Sequence, residues 1–307
     1  MTIYSPCFSP FTGYGRIALA AKQALFACAT SNPIADIAVC NPGDASPAPV
    51  RMTTWESDAL PPDYMGWKRA RLIIVPCEHN RKLFKRYTKK PVEVLPQFAD
   101  TTYEHLPPAR PFRFVCVARD NGARSRKGID LLIKWFTDAF PSESDVSLSI
   151  KMSPHCVKRW TFDKRINLIY EDWGRDEYIK FLAANHCGVF LSGGEGWNLP
   201  ANELLSMGRP SILLNLGGPV DFTNEQTAYY VKHTLVKAPI NVYKGAGNFG
   251  APDKRSTVQA MQLAYGDQLL LAEKSVAAAK LGVEFTQERF AAKLRNILSE
   301  YGFQVNS

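Results

Sequence analysis

The 307-residue sequence predicts an α/β protein with two Rossmann-like, doubly wound domains that face each other across a central cleft. Short apolar runs alternate with helical patterns along the chain, which is typical of βα units and a parallel sheet. The length corresponds to two domains at roughly 150 residues each. A proline-rich segment without periodicity, residues 106–111, separates two such series and is the predicted linker. Ligands of such folds bind at the carboxyl ends of the strands, so the cleft is the expected site.

The first domain is predicted to span residues 1–108. Its strands are apolar runs bounded by turn residues, near 2–5, 34–40, 51–54, 71–76 and 92–95. Its helices, near 15–29 and 78–87, show apolar residues at helical spacing.

The second domain is predicted to span residues 109–285. Its strands are expected near 112–117, 146–151, 166–169, 187–191 and 210–214, and its helices near 127–140, 176–185, 199–207 and 254–280. A final helix, in residues 286–307, is a candidate to cross back to the first domain.

The composition is that of an ordinary globular protein, with 46% apolar and 21% charged residues, which excludes a disordered or fibrous chain. No apolar run is long enough to span a membrane, and residues 1–6 lack the features of a secretory signal. Seven scattered cysteines without a Cys-x-x-Cys pair favour neither a disulfide framework nor a zinc cluster. We therefore expect a cytoplasmic protein.

The positive charge is concentrated in one stretch. Residues 66–90 contain nine basic residues and one acidic residue, an excess that equals the net charge of +8 of the whole chain. A local positive field attracts polyanions and phosphorylated ligands. A solvated, lysine-rich helix face explains the same pattern equally well.

The most informative motif is Gly-Gly-Glu-Gly-Trp-Asn-Leu-Pro-Ala-Asn-Glu at residues 193–203, which follows an apolar run and opens a helix. A glycine-rich turn at a helix N-terminus offers free N–H groups and a positive dipole end, which suit a phosphate. Carboxylates accept hydrogen bonds from hydroxyls, so Glu195 and Glu203 could hold two sugars that flank a diphosphate. The alternative is that Glu195 only begins the helix and Glu203 faces solvent.

With Leu204–Pro210 and Gly217–Gly218, this Glu-x7-Glu spacing resembles the donor site of group 1 (GT4-like) retaining glycosyltransferases, which have the GT-B fold. The resemblance covers residues 12–260. It implies transfer of a sugar from a nucleoside diphosphate sugar to an acceptor hydroxyl, with retention. It places Glu195 at the hydroxyls of the transferred sugar and Glu203 at the ribose of the nucleotide.

The resemblance also implies that the turn itself binds the donor, through Gly196, Trp197, Asn198 and Leu199. The family usually has Phe-Gly where this chain has Trp197-Asn198. Asparagine adopts the left-handed backbone more readily than most residues, so the same turn is expected.

A second matching block, residues 119–130, follows a predicted strand and begins a helix. Arg119 and Lys127 occupy the positions where the family has an arginine and a lysine that face the donor diphosphate. Fixed cations stabilise the negative charge that develops on the departing diphosphate. No Asp-x-Asp sequence occurs, so we expect neither a metal ion nor a cofactor beyond the donor substrate. Arg124 and Arg126 are predicted to be surface residues, and the alternative for Arg119 and Lys127 is also surface charge.

A third block, Thr-Gly-Tyr-Gly-Arg-Ile-Ala at residues 12–18, opens the first predicted helix. The family places a glycine loop here against the donor phosphates, which implies donor-binding roles for Gly13 and Gly15. Gly-x-Gly-x-x-Ala is also a weak dinucleotide fingerprint. A dehydrogenase would need an acid at the end of the second strand, whereas Asp36 precedes the apolar body of that strand.

Glu56 lies at a predicted strand end, where some GT4-like enzymes have Trp-Glu or Phe-Glu and many relatives use a histidine. We expect Glu56 to face the sugar or the acceptor. His79 is an alternative on chemical grounds alone, although a lone histidine at a helix start is more often a structural cap.

The acceptor is the least constrained part of the prediction. The first domain is short for the family, and with the basic stretch this resembles viral transferases that glycosylate hydroxymethylated bases in DNA. Double-stranded DNA would then contact cations that share one helix face, namely Lys82, Lys85, Arg86 and Lys89. The alternatives are a glycan, cell-envelope, protein or small-molecule acceptor, and a non-enzymatic module that binds nucleotide or nucleic acid.

Overall fold

The computed structural model describes residues 1–6, 8, 13–30, 35–99, 101, 110–119 and 126–304. The first half contains a six-stranded parallel sheet in the order β2-β1-β3-β4-β5-β6. Its strands are β1 (Thr2–Tyr4), β2 (Cys28–Thr30), β3 (Ile37–Val39), β4 (Val50–Met52), β5 (Leu72–Val75) and β6 (Val92–Val94). Its helices are α1 (Gly13–Ala24) and α2 (Glu78–Lys85), with a short 3-10 helix at Gly66–Arg69.

The second half contains another six-stranded parallel sheet, in the order β12-β11-β10-β7-β8-β9. Its strands are β7 (Phe112–Ala118), β8 (Val146–Met152), β9 (Ile166–Tyr170), β10 (Cys187–Phe190), β11 (Ser211–Leu214) and β12 (Ala228–Val231). The helices are α3 (Ile129–Ala139), α4 (Arg175–Ala183), α5 (Leu199–Ser206), α6 (Lys254–Gly266), α7 (Gln268–Gly282) and α8 (Gln287–Glu300). The prediction of two doubly wound α/β domains is confirmed.

In the second sheet the chain begins at the central strand β7, builds outward through β8 and β9, and then returns to add β10, β11 and β12 on the other side. The strand order therefore reverses between β7 and β10. Helices that follow these two strands diverge to opposite faces and leave a crevice at the carboxyl ends, where such folds bind ligands.

An antiparallel hairpin links the two halves. It consists of β13 (His233–Lys237) and β14 (Asn248–Pro252). Tyr243 and Phe249 of the hairpin segment share an apolar cluster with Trp55, Trp67 and Phe84 of the first domain. The hairpin thus belongs to the second domain in sequence but packs on the first.

The helix α8 packs on the first domain, where Phe290, Leu294 and Leu298 join the apolar cluster of β1 and α1. Apolar residues of α8 at helical spacing form this buried face. The chain therefore returns to the domain in which it started. Within the described residues, no helix is long and apolar enough to cross a membrane.

The structure differs from the prediction in two helices and in four strands. The helix predicted for 15–29 ends at Ala24, because Phe26 takes a left-handed backbone (φ 48°) and β2 follows as an edge strand. The helix predicted for 254–280 is two helices, and the carboxylate of Asp267 caps the second through the N–H of Leu270. The strands β2, β12, β13 and β14 are missing from the prediction. The predicted linker lies mostly outside the described residues.

Candidate functional site

The cleft lies between the carboxyl ends of the two sheets and has a volume of about 940 Å³. Pockets that bind small molecules typically measure about 300–1,000 Å³. The first domain contributes mainly uncharged polar and acidic groups, whereas most cations come from the second. The polar residues that line the cleft include Tyr14, Arg16, Asn41, Asp44, Thr53, Thr54, Glu56, Arg119, Arg126, Lys127, Lys151, Arg175, Tyr178 and Glu195.

Glu195 follows β10 and is 7% exposed. Its carboxylate pairs with the Lys127 ammonium at 2.5 Å and with the Arg126 guanidinium at 2.9 Å. Burial alone would raise the pKa of Glu195, but these two cations outweigh burial and hold the pKa at about 2. Burial and the adjacent Arg126 lower the pKa of Lys127, while Glu195 opposes that shift. The carboxylate is therefore ionised at every physiological pH.

Arg126 bridges the two domains, so the prediction that it lies on the surface is wrong. Its guanidinium is 2.9 Å from Glu195 and 3.4 Å from Glu56 of the first domain. The carbonyl oxygen of Arg126 accepts a hydrogen bond from the N–H of Gly193 at 2.7 Å, which fixes this turn beside the end of β10. Gly128 has φ 67°, and a Cβ there would lie 2.6 Å from the carbonyl oxygen of Leu191. This close approach directs Arg126 and Lys127 into the cleft.

Arg119 is exposed at the end of β7 and lines the same cleft. Lys151, at the end of β8, lines it too and donates a hydrogen bond to the carbonyl oxygen of Glu171 at 2.8 Å. The predicted pair Arg119 and Lys127 thus shares one cavity with Glu195. Arg124 lies outside the described residues.

Glu203 is completely buried, so the alternative of a solvated side chain is wrong. One carboxylate oxygen contacts the guanidinium groups of Arg16 at 2.5 Å and Arg175 at 2.8 Å. The other accepts a hydrogen bond from the Tyr178 hydroxyl at 2.7 Å. Since Arg16 belongs to α1, this cluster ties the first domain to α4 and α5. The sequence analysis did not identify Arg16, Arg175 or Tyr178.

The turn before α5 has the backbone that the sequence predicts. Asn198 is left-handed (φ 86°), and its side-chain oxygen caps α5 by accepting a hydrogen bond from the N–H of Ala201. Leu199 and Pro200 form the first turn of the helix and line the cleft, so the positive end of the α5 dipole faces the cavity. Trp197 also lines the cleft, while its ring packs on Phe222 in the apolar core of the second domain, with ring centroids 4.7 Å apart.

The glycines of the turn allow the domains to touch. A Cβ on Gly196 would lie 1.7 Å from the Thr54 hydroxyl oxygen, and one on Gly194 would lie 2.4 Å from the Glu56 carbonyl oxygen. Both neighbours belong to the first domain. Glycine is therefore required at these positions by domain contact, a reason that the sequence analysis did not consider.

Gly13 and Gly15 lie in the first turn of α1. Their neighbours Tyr14 and Arg16 line the cleft. The Tyr14 hydroxyl donates to the carbonyl oxygen of Thr54 at 3.1 Å, which joins α1 to the strand end that carries Glu56. The donor-binding roles of the two glycines stay predictions.

Glu56 lines the cleft, and two partners position its carboxylate. Besides Arg126, the Tyr243 hydroxyl donates to its carboxylate at 3.3 Å. The Tyr243 ring also lies 5.0 Å from the Trp55 ring. Burial raises the pKa of Tyr243, which keeps this hydroxyl a proton donor. The hairpin thus holds the Glu56 loop against the second domain.

His79 lies outside the cleft lining, in the first turn of α2. Its Nε2 is 3.3 Å from the carbonyl oxygen of Ser57, a contact that braces the loop after Glu56. Burial lowers the pKa of His79. This placement favours the structural role over contact with the sugar.

None of the nine basic side chains of residues 66–90 lines the cleft. Seven of these nine cations are exposed, and these include the predicted DNA contacts Lys82, Lys85, Arg86 and Lys89. However, α2 ends at Lys85, so the prediction of one helical face through Lys89 is wrong. The Arg86 guanidinium instead donates a hydrogen bond to the carbonyl oxygen of Asp58.

Within the described residues, no group of three or more histidine, cysteine, aspartate and glutamate side chains could hold a metal ion. The cations of the cleft are arginine and lysine side chains.

No protein-family model matches this sequence, and no curated protein matches it. Solved structures do match. The pneumococcal O-GlcNAc transferase GtfA, in complex with UDP and GlcNAc, gives a TM-score of 0.62 at 12% identity over 81% of this chain and 52% of its own. TarM of S. aureus, in a complex that contains UDP, gives 0.64 at 15% over 92% and 58%.

The apo form of the lipopolysaccharide outer core galactosyltransferase WaaB gives a TM-score of 0.64 at 10% identity, over 97% of this chain and 99% of its own. This chain has the GT-B fold. The GT-B fold comprises two Rossmann-like domains around a cleft, and it is shown here by structural similarity, not by sequence. The chain spans only a little over half the length of GtfA and TarM, but nearly all of WaaB.

Proposed function

We propose that this chain is a retaining glycosyltransferase that transfers a sugar from a nucleoside diphosphate sugar to an acceptor hydroxyl. The main support is the buried cluster of Glu195, Arg126 and Lys127 at the point where the strand order reverses. The ionised Glu195 carboxylate can accept hydrogen bonds from sugar hydroxyls. The two cations lie beside it, close to the N-terminus of α5. A sugar diphosphate needs both.

In the proposed mechanism, Glu195 accepts hydrogen bonds from the transferred sugar and fixes its orientation. Lys127, Arg119 and the N-terminus of α5 stabilise the negative charge that grows on the diphosphate as its bond to the anomeric carbon breaks. The acceptor oxygen bonds to that carbon from the same face. Its proton passes to a phosphate oxygen of the leaving group, so no protein nucleophile is needed. Each cation is already held in place before the reaction begins, so it need not move to stabilise the charge.

The GtfA and TarM structures are both complexes with UDP, which makes UDP-sugars the first donors to test. Their sugars need not be those of this chain, because the identities of 12% and 15% carry the fold alone.

For the acceptor, we propose a hydroxyl-rich molecule such as a glycan. The first domain presents Asn41, Asp44, Thr53 and Glu56 to the cleft, which are groups that bond hydroxyls. Negatively charged phosphates would be repelled by the two carboxylates. The predicted DNA acceptor gains no support from this lining, since the exposed cations of the basic stretch lie elsewhere.

The deciding experiment incubates the full chain with a panel of nucleoside diphosphate sugars and measures release of the nucleoside diphosphate. Acceptor glycans, small polyols, proteins and hydroxymethylated duplex DNA are then screened by mass spectrometry. We expect donor-dependent release that Glu195→Gln abolishes and that Glu284→Gln leaves unchanged. Glu284 is a matched control because its side chain is half exposed and pairs with Arg289 at the surface. Donor binding without any release would instead support the non-enzymatic alternative.

The DNA alternative has its own test. If the basic stretch contacts duplex DNA, alanine at Lys82, Lys85 and Lys89 should reduce the slope of log K against log salt by about two to three. Release of nucleoside diphosphate in the absence of acceptor should not change, because these side chains lie outside the cleft lining. DNA modification by wild type that the triple variant loses would overturn the glycan proposal.

A further inference from the structure

The connection between β8 and β9, residues 153–165, carries an exposed apolar patch. Trp160 is 73% exposed, Phe162 is 89% exposed and Val157 is 44% exposed. The two rings contact each other edge to face, with centroids 4.8 Å apart. A contiguous group of large exposed apolar side chains marks a surface that binds another molecule.

Three exposed lysines belong to this connection or to the helix face that contacts it. Lys158 and Lys164 belong to the same connection. Lys134 lies on α3, four residues after Asp130 and three before Thr137, so these three residues share one helix face. Asp130 and Thr137 both contact the connection, which places Lys134 between two points of contact with it. Within the described part of the chain, none of the three ammonium groups makes an ion pair.

The carboxylates that contact the connection are already neutralised. Asp163 pairs with Arg165 at 2.7 Å, and Asp130 pairs with Arg159 at 2.7 Å. Each carboxylate thus has its own arginine, and the charge of the lysines is not compensated locally. The patch is therefore apolar at its centre and positive at its edge.

We propose that this surface, Trp160, Phe162 and Val157 with its three lysines, docks the protein on an anionic lipid bilayer. Aromatic side chains favour the interface between lipid and water, where an apolar ring enters and a polar edge stays hydrated. Lysines beside them are attracted to negatively charged headgroups. The proposal stands independently of the donor chemistry in the cleft.

The geometry favours a bilayer over a single-stranded nucleic acid. Nucleic-acid platforms present open aromatic faces on which successive bases stack. Here the two rings lie at 74° to each other and in contact, so they form a compact wedge and leave no gap for a base between them. Val157 extends the wedge with an aliphatic group that suits acyl chains.

The test is sedimentation of the full chain with vesicles of phosphatidylcholine mixed with phosphatidylglycerol, and with phosphatidylcholine alone. We expect binding to the mixed vesicles that weakens with salt, and binding at least about tenfold weaker to the neutral ones. Each lysine near the surface contributes about fivefold, so removing all three should weaken binding about a hundredfold. Trp160→Ser with Phe162→Ser should abolish it.

Trp160 also provides a direct probe, because it is the tryptophan with the greatest exposure among the six. Brominated lipids should quench its fluorescence on binding. Trp160→Phe should keep the binding and lose the quenching. The matched control is Leu269→Ser with Val276→Ser, which removes side chains that are 72% and 66% exposed on α7 and should leave binding unchanged.

Three results would overturn the proposal. One is equal vesicle binding by wild type and by the Trp160→Ser, Phe162→Ser variant. Another is wild-type binding to single-stranded oligonucleotides, lost in that variant, without binding to vesicles. The third is a dimer that the same variant dissociates, since the patch would then be covered by a second copy of the chain.

Discussion

Replacing Glu195 with glutamine keeps the shape of the side chain but removes the charge that Lys127 and Arg126 share. The folded pKa of about 2 lies below the value of about 4.3 for a glutamate in an unfolded chain. The carboxylate therefore stabilises the fold above the unfolded pKa, and this contribution is lost as the pH falls towards the folded pKa. From these two pKa values, the contribution to the unfolding free energy is roughly 3 kcal/mol at pH 5 and roughly half of that at pH 3.

The net stabilisation by the Glu195 ion pairs is smaller than this, because burial lowers the pKa of Lys127. Keeping the Lys127 ammonium charged in the folded protein costs part of the free energy that Glu195 contributes. The assay is urea unfolding at pH 5 and at pH 3, followed by circular dichroism. The difference in unfolding free energy between wild type and Glu195→Gln should narrow by about half over this range. Glu284→Gln should cost less than about 0.5 kcal/mol, as expected of an exposed pair. A difference between wild type and Glu195→Gln that is the same at both pH values would refute the depressed pKa and the buried ion pairs behind it.

Three further predictions concern the cleft. Lys127→Ala and Arg126→Met should each lower the turnover number for release of nucleoside diphosphate at least about 100-fold, since loss of one charge-stabilising group costs about 2.7–4 kcal/mol; wild-type turnover in both would contradict the site. We expect activity to persist in EDTA, because in the proposed mechanism arginine and lysine side chains stabilise the diphosphate; complete loss of activity that manganese restores would contradict this. Asn198→Ala should lower the unfolding free energy by about 2 kcal/mol, through the lost cap and the left-handed backbone, whereas Asn198→Gly should cost far less; equal melting temperatures would argue against this turn.

The fold was accessible from the sequence because most strands of both sheets are short apolar runs between turn residues. The strand β2 could not be predicted in this way. The alanine-rich pattern of α1 continues past Ala24, and only the left-handed backbone of Phe26 ends the helix. The hairpin was also missed. Its first strand is largely exposed, so it has no buried face to produce an alternating pattern.

Part of the site could also be predicted from local sequence patterns. Glu195 and Lys127 occur in recognisable spacings, and the structure brings them together. The sequence motifs do not single out Arg126, because the direction of its side chain depends on the contact of Gly128 with Leu191, directly after β10. A cation directly before Lys127 was the available clue. The burial of Glu203 depends on partners from two domains, which local sequence patterns do not report.

The hairpin has a consequence for recombining GT-B domains. Tyr243 bonds Glu56, and the backbone N–H of Asn248 donates to the Asp58 carboxylate at 2.7 Å, so residues of the second half shape the loop of the first. A chimera that takes its first domain from another GT-B protein would leave these partners without their loop. The hairpin and the loop at residues 54–63 therefore depend on each other structurally, and an engineered domain exchange should transfer both together.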